Sequence, residues 1–179
     1  QTYGYVTITA EDERSFATMN FLLISKAMLY VYPEDKLVGP SSTFTISLNI
    51  DEIENMSVAE LYLSFDPDIL FVEDITKGGF PVGGWMTKTI DNSLGRIDMG
   101  AGINPNFPPA SGTGCFATIT FLAKVIGTSN ITFDCLDPRR TKVLSPEAEI
   151  PVSSKDGIVE VSGPSYLMIT PGYVTLMAG

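Results

Sequence analysis

Paired carboxylates are the side chains in this sequence whose spacing could do chemistry. Asp66 and Asp68 flank Pro67, and Glu11, Asp12 and Glu13 are consecutive. Oxygen ligands suit calcium, so both groups are candidate calcium ligands, although neither has the EF-hand spacing with its glycine and distal glutamate. The plainer reading of Asp66 and Asp68 is a corner whose carboxylates bond turn amides. Glycosidases also use two carboxylates, but nothing in the sequence sets an acid of raised pKa in a cleft. The chain has no histidine, which removes Ser-His-Asp and Cys-His nucleophile systems and the usual zinc sites. Its two cysteines cannot replace them with a four-cysteine cluster. No phosphate-cradling glycine loop or nucleophile elbow occurs. The chain reads as non-enzymatic, with no cofactor required and calcium the one ligand its composition suits.

Charge bounds the partners. Twenty-one acids against 11 bases leave a net charge of −10, which argues against nucleic acid, whose phosphates need a basic surface. The same acids serve simply to keep a protein soluble. The longest plausible membrane run, 21–24, is far short of the ~20 residues of a spanning helix. A chain opening on Gln1 with no basic and apolar leader fits a secreted protein after signal-peptide removal. Asn55-Met56-Ser57 and Asn130-Ile131-Thr132 are sequons in expected turns, so Asn55 and Asn130 are candidate glycosylation sites.

The elements that must position these groups are strands. In 58–66, Ala59, Leu61, Leu63 and Phe65 share one parity, and Glu60, Tyr62, Ser64 and Asp66 share the other. That period of two buries one set and exposes the other. Pro67 lacks an N–H, so pairing stops there. Similar runs are expected at 27–32, 43–50, 69–75, 85–90, 95–101, 115–125, 130–136 and 157–161, separated by Gly, Pro, Asn and Asp. Many short strands with such punctuation indicate an all-β sandwich or barrel. Three prolines make 104–114 a loop.

The order of several segments resembles the cohesin family. The pieces are LYVYPED, STFTISLNI, VAELYLSFDPDILFVEDITKGGF, GRIDMGAG, GTGCFATITFLAKVIGTSNITF and KDGIVEVSG, together covering 28–163. The resemblance implies a single jelly-roll β-sandwich of about nine core strands, an extracellular setting and a calcium-binding dockerin as partner. It implies a partner face carrying Glu60, Tyr62, Ser64, Arg96, Asp98, Thr132 and Asp134, placed by strand position alone. In such a jelly roll Cys115 and Cys135 fall on strands of opposite sheets at one end. A disulfide between them is expected, the alternative being two buried reduced thiols.

The chain departs from the cohesin pattern at its ends. Extensions at 1–27 and 164–179 are apolar and strand-like rather than linker-like. The leading expectation is therefore a structural subunit of extracellular filaments or tubes, with copies of itself as partner. Residues 1–10, through Tyr3, Tyr5, Val6, Ile8 and Ala10, would add as a donor strand to a neighbour's sheet. The alternatives are ends that fold back on their own domain, a cohesin-type receptor for a dockerin or other surface protein, and a carbohydrate-binding module. The last wants a row of exposed aromatics that one tryptophan does not supply.

Overall fold

Alternation of large apolar and polar side chains builds two facing sheets. The computed structural model describes residues 5–12, 15–22, 27–104 and 106–163. Along the chain these form β1 (Tyr5–Asp12), β2 (Ser15–Leu22), β3 (Met28–Tyr32), β4 (Asp35–Val38), β5 (Thr43–Met56) and β6 (Val58–Ser64). Next come β7 (Leu70–Lys77), β8 (Gly84–Asp91), β9 (Arg96–Gly102), β10 (Ala110–Ala123) and β11 (Gly127–Phe133). Short strands follow: β12 (Cys135–Leu136), β13 (Arg139–Arg140), β14 (Lys142–Leu144), β15 (Glu149–Ile150) and β16 (Ser153–Lys155), with β17 (Gly157–Val161) closing the domain. One sheet runs β16-β3-β5-β10-β7. The other runs β15-β14-β6-β11-β17-β4, with β9 on the other side of β6 and β8 beyond β9. The protein is all-β, a jelly-roll sandwich.

Between the sheets lie Leu29, Leu48, Leu61, Leu63, Ile97 and Phe121, all fully buried. Phe121 stacks on Phe44 at 5.7 Å and meets Phe65 edge-on at 5.5 Å. Pairing stops at the corner as expected: β6 ends at Ser64 and β7 begins at Leu70. Asp66 Oδ1 accepts the N–H of Asp68 at 2.9 Å, and Ser129 Oγ accepts that of Asp66 at 2.9 Å. The first carboxylate thus closes the turn.

Two expectations need correction here. Residues 110–114, read as part of a loop, are strand, because β5 runs on to Met56 and pairs with them through successive bulges. Ile50, Ile53 and Met56 oppose Gly114, Gly112 and Ala110, three residues against two, with Glu52 and Asn55 at positive φ of 47° and 57°. The expected disulfide is not formed. A further bulge between Cys115 and Ala117 sends Phe116 into the core in place of Cys115, which is left half-buried in the five-stranded sheet. Cys135 comes after β11 has left the other sheet, and its thiol is exposed.

β1 pairs antiparallel with β2, Tyr5 opposite Leu22 through Asp12 opposite Ser15, as a two-stranded sheet of their own. Tyr5, Val6, Ile8 and Ala10 therefore lie in a hairpin strand whose partner comes from the same chain. Glu11 and Asp12 end that strand. Tyr3, Glu13 and the expected strands in 164–179 lie outside the described residues.

Candidate protein-binding face

The second parity of β6, Glu60, Tyr62 and Ser64, points away from the core onto the outer face of the larger sheet. β9 brings Gly100 beside Glu60, Asp98 beside Tyr62 and Arg96 beside Ser64. β11 brings Thr132 beside Ser64, and Asp134 donates its N–H to the carbonyl of Tyr62 at 2.8 Å. The seven residues expected on this face are thus gathered by register, with Arg96 the exposed member at its edge.

The centre of the face belongs to a residue that the sequence reading missed. Between β11 and β14 the chain makes a small hairpin, β12 with β13, turning at Asp137-Pro138. It returns Arg139 over the sheet. Arg139 Nε and Nη2 donate to Asp98 Oδ1 at 3.0 and 2.6 Å, and Nη1 donates to Asp134 Oδ2. Nη2 also reaches the carbonyl of Leu63 at 3.1 Å. The guanidinium carbon stands 5.7 Å from the centre of the Tyr62 ring, within cation–π range. Ser64 Oγ donates to Asp134 Oδ1 at 2.9 Å. Lys142 Nζ lies 3.0 Å from Glu60 Oε2, and Arg140 forks onto Glu149. Two adjacent bases following a Pro turn, in a chain with 11 bases, were the available signal.

The electrostatics follow from this packing. Burial, then the Glu60 and Asp98 charges, push the Tyr62 phenol above its ordinary value. The hydrogen bond and charge of Glu60 raise the Lys142 ammonium. Arg140 holds the Glu149 carboxyl below the usual carboxylate value. Tyrosine and arginine at the middle of this lattice are residue types enriched in protein contact surfaces, whereas the aspartates, glutamates and lysine around them are types depleted there. Among the described residues no group of three or more Asp, Glu or Cys is placed to hold a metal ion. No described helix is long and apolar enough to cross a membrane. Asn55 and Asn130 are both exposed, and both lie on strands, β5 and β11, rather than in the expected turns.

No protein-family profile and no curated protein sequence matches the chain. Solved structures do. The third cohesin of ScaC from Acetivibrio cellulolyticus, determined in complex with the ScaB dockerin, superposes with a TM-score of 0.66 at 21% identity, over 75% of this chain and 98% of that one. The fold is cohesin-like. A non-cellulosomal cohesin from the archaeon Archaeoglobus fulgidus gives 0.63 at 15% identity, over 77% and 92%. The type I complex of Coh-OlpC with Doc435 from Clostridium thermocellum gives 0.65 at 17%, over 77% and 94%. The cohesin-like sandwich thus recurs at identities where sequence alone carries little.

Proposed function

We propose that this chain is a non-enzymatic, extracellular protein-binding module of the cohesin type, and that it takes a dockerin-bearing partner on the outer face of β9, β6 and β14. The observation that carries the reading is the Arg139 lattice. It covers that face with a half-desolvated Tyr62 and paired charges, and cohesins solved together with dockerins are among the structural neighbours. The test titrates the full chain with calcium-loaded type I dockerins by calorimetry. Binding is expected, with Tyr62→Ala weakening it about 30-fold, as loss of a central anchor does. Failure of every dockerin tried, or binding indifferent to Tyr62, overturns the reading.

A second reading, a self-assembling subunit of surface filaments or tubes, is favoured by the hairpin. Its register sets Val6, Ile8 and Ala10 opposite Phe21, Met19 and Ala17, so one face of the ladder is apolar throughout this stretch. A lone two-stranded sheet is marginal in water, and a neighbouring copy would cover that face. Paired substitutions Ile8→Asp and Met19→Asp abolish self-association in sedimentation on this reading, and leave it intact if the hairpin has no part in assembly.

A further inference from the structure

One end of the sandwich carries an apolar groove of about 1140 Å³. Its walls include Phe80, Val82, Trp85, Met86, Ile103 and Phe107, and no described residue lining it is charged. Val82, Met86 and Phe107 are 85%, 62% and 66% exposed, on a molecule of net charge −10. The walls are braced from within. Trp85 meets Phe116 edge-on at 5.7 Å. Phe80 packs directly against Gly114, where an added Cβ would collide with its side chain. Beside the groove β8 pairs with β9 alone among the described strands, so no described strand occupies its outer edge. An apolar groove beside a free strand edge fits an extended apolar segment: the edge offers main-chain bonds and the groove takes alternate side chains.

The chain itself contains an uncharged, largely apolar segment, and its starting point decides whose groove it fills. Residues 164–179, PSYLMITPGYVTLMAG, carry no charge and follow Gly163. The groove sits at the Val58 end of β6, where Gly102 pairs with both Val58 and Gly84. Gly163 sits at the opposite end. β11 leaves β6 at Thr132 beside Ser64 and runs on to Gly127 beside Val161, and Gly127 there faces Ile69. Carried on in register, Gly163 stands about 40 Å from Val58 at the strand rise of ~3.3 Å per residue. Sixteen residues span at most ~55 Å. A tail bound in its own groove would have most of its length in transit, whereas a neighbouring copy can present its groove directly.

We infer that residues 164–179 of one copy dock in the Phe80–Phe107 groove of the next and join copies end to end. Donor and acceptor lie at opposite ends of one body, so the contact is heterologous and repeats into an open chain. This self-contact uses neither the hairpin nor the Arg139 face, so it stands apart from both readings above.

Two full-length variants test it: Met86→Asp with Phe107→Asp in the groove, and Tyr173→Asp with Leu176→Asp in the tail. Sedimentation is read beside the emission of Trp85, the only tryptophan. The unaltered chain is expected to gain mass with concentration as Trp85 emission moves to the blue. Each variant alone should associate about 30-fold more weakly, as loss of interface anchors does. Their equimolar mixture should give a 1:1 pair and nothing longer, since one keeps a tail and the other a groove. That pairing also shows that both variants are folded. A chain monomeric at every concentration overturns the inference. So does a blue emission that depends on the tail but not on concentration, which is a tail in its own groove. Assembly that survives both variants but is lost with Ile8→Asp and Met19→Asp overturns it while leaving the filament reading in place.

Discussion

Arg139 has only 19% of its side chain exposed and stands between Asp98 and Asp134, which are themselves 39% and 22% exposed. Truncating it leaves two carboxylates close together and the Leu63 carbonyl short of a donor. Arg139→Ala should therefore lower unfolding stability by about 1.5–3 kcal/mol, the range for a charged hydrogen bond lost in a half-covered site. Arg139→Lys should recover little, because one ammonium cannot fork onto both acids. Urea unfolding checks both, and a loss within the ordinary surface range of about ±0.5 kcal/mol would show that the lattice is not a brace. Glu149 gives a pH prediction. Its carboxyl is held below the ordinary value of 4.5, first by hydrogen bonds from Arg140. A depressed folded pKa contributes stability above the unfolded value, and that contribution is lost as pH falls through the folded one. The stability gap between the native chain and Glu149→Gln should be full near neutrality and shrink as pH falls below the ordinary carboxyl value and through the depressed one. A gap that does not change with pH would assign it to packing rather than charge.

At the scale of elements, what the sequence made legible and what it hid divide along the period of two. The 43–50 run, the 58–65 run and the corner at Pro67 were readable because each inward residue is two from the next. From Ile50 onward the inward residues are Ile53 and Met56, a spacing of three that does not match the strand alternation, so the expected strand stopped at Ile50 and 110–114 read as part of a loop. One residue gained at the next bulge moved Cys115 off the core and removed the expected disulfide. The partner face followed from strand order, but Arg139 did not: β12 and β13 are two residues each, too short to show alternation. The bulged ribbon carries its own prediction. Glu52 is exposed at φ 47°, a conformation costing non-glycine residues roughly 1–2 kcal/mol. Glu52→Gly should raise the urea midpoint and Glu52→Val should lower it, since branching at Cβ is worst at positive φ. Equal midpoints for the two would mean that the bulge relaxes when the side chain changes.

At the scale of the whole molecule, the two surfaces differ in how they answer to salt. Copies of a chain carrying −10 repel one another over about 10 Å at 0.1 M ionic strength. The end groove offers no charge to offset that repulsion. Screening should therefore strengthen end-to-end association as salt rises, through the weakened repulsion and the apolar contact it leaves. The Arg139 face presents acids and bases in alternation, and a partner recognised there gains encounter rate from complementary charge. Its association rate should fall over the same salt range. Measuring sedimentation of the chain alone and stopped-flow binding of a dockerin, each from 50 to 500 mM sodium chloride, sets the two responses side by side. Opposite slopes mean that one body uses separate surfaces for itself and for others. Self-association that weakens with salt would place the contact between copies on the charged sheet face instead, and the groove would then have no part in assembly.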